Sequence, residues 1–240
     1  MTSFELYDVM PGVRRARDES RTDTQPSIEE GTRRALNVAV AVIGLVIAAP
    51  LMLGIAILVK LTSPGPILYR QVRVGVDRRH PDIPAGNHRR TIDYGGAPFT
   101  IYKFRTMAAA ASRSSKAVWA APNDARVTPF GRLLRKYRLD ELPQLLNVLQ
   151  GDMNVVGPRP EQPNIFAELR RQVPGYAERQ RVRPGITGWA QINLHYDQSI
   201  EDVRKKVALD LEYIERQGFW ADLKIMLRTG PVLLLKKGAW

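Results

Sequence analysis

Asp140 and Glu141 stand side by side in the stretch RLDELPQ, behind a run of cations at Arg132, Arg135, Lys136 and Arg138. Successive helical residues point about 100° apart, so two adjacent acids do not share one proton. They can take separate jobs, one attacking and one handling a proton or a metal. Pro143 fits only the first turn of a helix, because it has no N–H to donate. The helix through Leu149 therefore begins near Asp140. That places both carboxylates at a helix N-terminus, where free N–H groups favour negative charge and can also hold a phosphate. The plain structural alternative is that Asp140 is only an N-cap. Two further arginines sit in proline-fixed loops, Arg159 in GPRP and Arg183 in VRPG. An arginine fork matches phosphate oxygens, and a loop stiffened by proline loses little entropy in presenting it. Each alone suits a surface salt bridge. Together with Arg135, beside an acid pair, they point to an anion site.

Composition agrees with an anionic partner. The 240 residues carry 36 basic and 24 acidic side chains, a net charge of +12, which suits nucleic acid, anionic lipid or a phosphorylated substrate. The absence of cysteine excludes thiol catalysis, disulfides and thiolate metal sites. His80, His88 and His195 are scattered, so a metal would be a hard cation on oxygen ligands. Neither a G-x-x-x-x-G-K-S/T loop nor a G-x-G-x-x-G turn occurs. Asp210 to Glu212 falls on an amphipathic helix and reads as solvated.

The elements that must position these residues begin at a membrane. Residues 1–34 are polar and read as a tail without a cleavable signal. Ala35 to Val59 carries no charge and is long enough to span a bilayer, but Pro50 lies near its middle and basic residues flank both ends. A Pro-broken re-entrant hairpin over 35–61, each arm about 20 Å long, satisfies both features. A kinked span and a buried soluble helix are the alternatives. The end of the chain, Phe219 to Lys237, mixes aromatics, aliphatics and lysines and suits a helix lying in the interface.

Between them, 62–240 reads as a compact cytoplasmic domain. Ser63–Gly75 and Phe99–Met107 are β-prone and predict a small hairpin around an irregular loop at 77–98. Helices are expected at 108–117, 128–138, 142–149, 165–172 and 200–217. GDMNVVGPRPEQP reads as loop, and VRPGITGWAQIN as a turn followed by an extended piece. The fold class is helix-rich α+β, with interfacial helices around the catalytic domain.

The Pro-broken apolar segment, IYKFRTM (101–107), RLDELPQLLNVLQGDMNVVGPRPE (138–161) and RVRPGITGWAQIN (181–193) resemble the monotopic phosphoglycosyl transferases. These bacterial sugar transferases begin lipid-linked glycan assembly, and the resemblance covers about residues 33–237. It implies transfer of a sugar 1-phosphate from a UDP-sugar to polyprenyl phosphate, with release of UMP and a Mg2+ cofactor. The site then lies on the cytoplasmic face of the bacterial inner membrane. By motif, Asp140 is the implied nucleophile, forming a phosphosugar-enzyme intermediate, and the Mg2+ ligand. Glu141 would deprotonate or position the acceptor phosphate. Arg159 and Arg135 would hold phosphate, with Lys103, Arg105 and Arg183 as partners for the diphosphate or uridine.

Two departures stand out. Ala49-Pro50 replaces the Ser-Pro expected at the membrane break, so no hydroxyl can bond freed backbone groups there. The 77–98 stretch is longer than a minimal family loop. The tail has no apolar span, so the larger family form with an added membrane bundle is not expected. Membrane lipid is an expected partner, nucleic acid is not, and a homo-oligomer is left open. The competing functions are a basic membrane-surface adaptor and an inactive scaffold of the same fold.

Overall fold

The computed structural model describes residues 28–77, 95–108, 124–194 and 199–234. Most of the polar tail, the 77–98 loop and the helix expected at 108–117 lie outside them. The chain opens on α1 (Ile28–Thr62). The helix begins inside the expected tail, so Arg33 and Arg34 belong to it. Its residues remain helical through Ala49 and Pro50. Two separate arms joined by a non-helical break, expected from the sequence, are not what the backbone forms. One stripe, Asn37, Ala41, Ile55 and Val59, is buried, while Val46, Ile47 and Leu53 are 64–72% exposed.

The expected hairpin is present. β1 (Leu68–Val74) pairs antiparallel with β2 (Pro98–Phe104), with Tyr69 opposite Lys103 and Gln71 opposite Ile101. Because side chains alternate across a strand, Tyr69, Gln71 and Arg73 share a face with Ile101 and Lys103. Next come α2 (Pro129–Lys136), a 3-10 turn (Leu139–Glu141) and α3 (Gln144–Gln150). The loop expected after α3 contains a short strand, β3 (Asn154–Val156), which pairs parallel with β4 (Gly185–Thr187). Three-residue strands are too short to show a period-2 pattern, so neither was legible. The WAQIN segment is helical rather than extended, as α5 (Trp189–Asn193). The remaining helices are α4 (Pro163–Gln172), α6 (Ile200–Arg216) and α7 (Phe219–Leu234), with a 3-10 segment at Tyr176–Arg181.

Both ends of α1 are tied to this same body. At its start, Arg33 donates to Asp222 on α7 and Tyr213 on α6. Arg34 donates to the carbonyls of Val148 and Leu149 at the end of α3. Buried Asn37 accepts from the Val155 N–H. At its far end, Ile55 and Val59 pack with Phe104 and Leu134, and Arg105 donates to the carbonyls of Val59, Ser63 and Pro64.

Asn147 joins α3 to the sheet. Its side chain accepts from the Tyr102 N–H and donates to the Thr100 carbonyl, at 3.1 and 2.6 Å. The residue is fully buried, so no water can replace it. Asn147→Leu leaves both backbone groups without their partner and costs about 2–4 kcal/mol. A urea or thermal melt of the lipid-reconstituted protein measures that loss, and Asn147→Asp, which sets a buried carboxylate against the Thr100 carbonyl, is expected to lose at least as much.

Candidate active site

The acid pair sits on a turn that the backbone strains to make. Arg138, at φ 53, occupies the left-handed region, an uncommon place for a side-chain-bearing residue that costs about 1 kcal/mol or more. It turns the chain out of α2 and starts the 3-10 turn, closed by the bond from Glu141 N–H to the Arg138 carbonyl. Leu139 and Leu142, on either side of the acids, pack against Ile55, Val59, Phe104 and Leu134. The apolar helix thus forms part of the seat of the acid pair. Pro143 is the cap of α3 rather than its first residue, so the acids precede the helix and do not lie within it.

Asp140 and Glu141 are both buried, 8% and 6% exposed, but their partners differ. Glu141 is held on both oxygens. Arg159 reaches Oε1 at 2.6 Å and Oε2 at 3.3 Å, Lys103 Nζ reaches Oε1 at 3.0 Å, and Arg138 stands 3.8 Å away. Burial alone would raise its pKa; Arg159, Lys103 and Arg138 outweigh that and hold the carboxyl well below the usual range. Asp140 has no hydrogen bond or ion pair of that kind among the described residues. Burial pushes its pKa up, against the pull of Lys103, Arg135 and Arg159. Two adjacent carboxyls are therefore driven apart in acidity, a pattern that separates chemical roles.

The backbone of Arg159 is itself clamped. Arg179 Nη2 donates to its carbonyl, Arg73 Nη1 to that of Pro160, and the Val74 N–H to that of Glu161. Gly157 and Gly185 pass so closely that a Cβ on either would collide with the other's strand. This contact seats GPRP on VRPG. Arg179 is in turn anchored by a fully buried ion pair with Asp210, at 2.7 Å. Asp210 is 2% exposed, so the solvated position expected for it is corrected. Its helix face looked polar only because its partner lies 31 residues away in sequence.

The structure brings Lys103 and Arg159 to the acids, with Arg135 close enough to act on Asp140 through its charge while Arg135 Nε donates to Thr106 Oγ1. Two expected phosphate ligands are not brought there. Arg105 is 5% exposed and its guanidinium faces the carbonyls that end α1. Arg183 donates to the Gly151 carbonyl and lies 3.9 Å from Glu30. It stands with Arg34 at the C-terminal end of α3, the end away from the acid pair. Sequence reasoning also missed Arg73 and Gln144, which line a small cavity with Lys103 and Arg159. The only sequence sign of Arg73 was its place on the same strand face as Tyr69.

A divalent cation would find one ready protein ligand here, Asp140, since Glu141 is already neutralised by cations. No cluster of three acidic or histidine ligands occurs among the described residues. That donor set fits Mg2+, which takes one or two carboxylates and completes its shell with water and substrate phosphates.

The family model of the bacterial sugar transferases matches residues 28–236. The chain is 40% identical over 86% of its length to the UDP-N-acetylgalactosamine-undecaprenyl-phosphate N-acetylgalactosaminephosphotransferase of Aeromonas hydrophila, covering 44% of that protein. It is 41% identical over 87% of its length to a UDP-glucose:undecaprenyl-phosphate glucose-1-phosphate transferase of Caulobacter vibrioides, covering 72% of it. It is 40% identical over 82% of its length to one of the same name from Escherichia coli, covering 39% of it. The chain thus spans under half of two of these relatives and most of the third.

The raised Asp140 pKa gives a pH dependence. If the carboxylate anion reacts, activity falls as pH drops and protonates Asp140, and burial moves that acid limb above the ordinary aspartate value of 3.8. Lys103→Met removes the main charge opposing burial and is expected to move the limb further toward neutral pH, as read from kcat/KM against pH. The buried turn of strained backbone, its aspartate left unpaired beside a glutamate locked by cations, and the match over nearly the whole described chain lead to one conclusion: the chain belongs to the bacterial sugar transferase family.

Proposed function

We propose that the chain is a phosphoglycosyl transferase that moves a sugar 1-phosphate from a UDP-sugar to undecaprenyl phosphate or a similar polyprenyl phosphate, releasing UMP. The observation that carries this is Asp140, a buried carboxylate without an ion-pair partner, set among cations beside an already neutralised Glu141. An Asp140 oxygen attacks the phosphorus that bears the sugar. The bond from that phosphorus to the bridging oxygen breaks, and UMP leaves with the electron pair. An oxygen of polyprenyl phosphate then attacks the same phosphorus, and the acyl-phosphate bond breaks to restore Asp140. Two steps let one site serve two substrates in turn.

Repulsion between a carboxylate and a phosphate is offset by Lys103, Arg135 and Arg159. Mg2+, held by Asp140 and the substrate phosphates, would supply further charge neutralisation. Glu141 is a poor base, since both its oxygens are engaged and its pKa is depressed. Its role is to fix Lys103 and Arg159 where the phosphates bind. The sequence left deprotonation and positioning open for this residue; its ion pairs favour positioning.

The membrane topology is part of the same proposal. α1 is 35 residues long and its apolar window is only 11% buried in the protein. Docking of both ends on one body supports a re-entrant dip, in which the two ends lie on the same side of the bilayer. The bend need not interrupt the helix, because Pro50 removes one backbone donor without ending the ladder on either side. α7 exposes Trp220 and Leu227 together with Lys224 and Arg228, a face suited to the headgroup region. The catalytic body then faces the cytoplasm of a bacterial cell, where nucleotide sugars are made.

Reconstituted protein is expected to release UMP from at least one UDP-sugar only when polyprenyl phosphate and Mg2+ are present. Asp140→Asn should lower turnover at least a thousandfold with an unchanged melting temperature, whereas full activity in that variant discards the mechanism. Donor alone is expected to add the mass of a phosphosugar to the peptide holding Asp140. The chain has no native cysteine, so single cysteines at Ile28 and Thr62 report topology directly. Both are expected to react with a membrane-impermeant maleimide from the same side of sealed vesicles; labelling from opposite sides is the result that rejects a re-entrant α1.

A further inference from the structure

We propose that Gln144 and Arg73 form a cradle for a non-bridging oxygen of a phosphate monoester, behind the cations that clamp Glu141. The proposal rests on the site being a phosphoryl-transfer centre and specifies which side chains hold the phosphate that leaves or arrives.

Gln144 follows Pro143 and is 1% exposed, yet its Nε2 has no hydrogen-bond partner among the described residues. Arg73 Nε is likewise buried without a partner. The rest of the Arg73 guanidinium is engaged by Glu161, the Pro160 carbonyl and Gln71, so Nε is oriented and not free to swing away. A buried donor without a partner is costly, so two on one cavity call for an acceptor. Both residues line one cavity, with Lys103, Arg159, Ile101 and Pro160. The cavity measures about 10 Å³. That volume holds one oxygen and excludes a sugar or a pyrimidine ring.

The charge around it selects an anionic oxygen. Lys103 and Arg159 bind Glu141 and also line this cavity, so an oxygen held there lies one side chain away from the acid pair. Arg73 adds a third cation, only partly offset by Glu161 at 3.2 Å. Negative charge grows on the nucleotide phosphate as the bond to the sugar-bearing phosphorus breaks. Donors already oriented toward that oxygen stabilise it without reorganising. A terminal phosphate of the same chemistry arrives on the lipid in the second step. The occupant is thus the UMP phosphate or the prenyl phosphate.

The test uses the full chain in lipid nanodiscs and needs no turnover. Calorimetric affinities for UMP, uridine and a short-chain prenyl phosphate are compared in wild type, Gln144→Leu and Arg73→Lys. Arg73→Lys keeps the charge beside Glu161 but removes the Nε–H. Affinity for UMP is expected to fall about tenfold in each variant, with uridine affinity unchanged and, for Gln144→Leu, an unchanged melting temperature. A fall confined to prenyl phosphate upholds the cradle and assigns it to the acceptor. Unchanged affinity for both phosphates means that the cavity holds a structural water only, and overturns the proposal. Should a variant fail to fold, the wild type decides: the Gln144 side-chain amide, assigned by 15N labelling, must shift on adding UMP or prenyl phosphate, and a resonance that stays still overturns it. Absence of UMP release from every UDP-sugar would overturn the transferase assignment instead, a result that these binding measurements do not depend on.

Discussion

A buried carboxylate has to be neutralised, and the way Glu141 is neutralised organises the site. Its cations come from three places: Lys103 from β2, Arg159 from the loop after β3, and Arg138 from the strained turn itself. Removing the carboxylate itself would leave these cations facing one another in a largely buried place. Their shared carboxylate holds the sheet, the GPRP loop and the acid turn in one arrangement. Asp140, one residue earlier, gains the field of the same cations without being bound by them. A carboxylate left without an ion pair among the described residues beside one locked by cations is the arrangement on which the proposed mechanism draws.

The support continues outward in shells of decreasing polarity. Arg179 and Asp210 hold the Arg159 carbonyl from behind, and Arg73 holds the next one. Below the turn, Leu139 and Leu142 rest on the far end of α1. The near end of α1 is fixed by Arg33, Asn37 and Arg34, the last of which satisfies carbonyls at the C-terminus of α3. A cation there is also favoured by the helix dipole. The apolar helix and the acid turn are therefore parts of one packed unit. On the function proposed above, the depth of this anchor fixes the height of Asp140 relative to a lipid phosphate.

Much of this was legible in the chain itself. The uncharged run from Ala35 to Val59, the β-prone segments around residues 70 and 101, and the 3-and-4 spacing on α6 are local signals whose periods exceed their noise. The motif around Asp140 and Glu141 was legible too, because Pro143 limits where a helix can start. Lys103 and Arg159 were expected on substrate phosphates, and that both pair with Glu141 was not legible. Nor were β3 and β4: three residues carry no usable period, and their pairing is set by the close pass of Gly157 and Gly185.

The sequence by itself determined the longer helices and the β1–β2 hairpin, the apolar anchor and the chemical types gathered near Asp140, since helical spacing, charge-free length and proline constraints act over a few residues. Only the tertiary structure decided which arginine does what. Arg105 and Arg183 were expected beside the diphosphate or uridine, yet each meets backbone carbonyls at a helix end instead. Glu141 and Asp140 were separated into an anion locked by cations and one without an ion pair among the described residues. Gln144, Arg73 and Asp210 gave no sign of burial. The reason is physical: a charge's role depends on what else is within about 4 Å and on how much water is left, and both are set by residues tens of positions away.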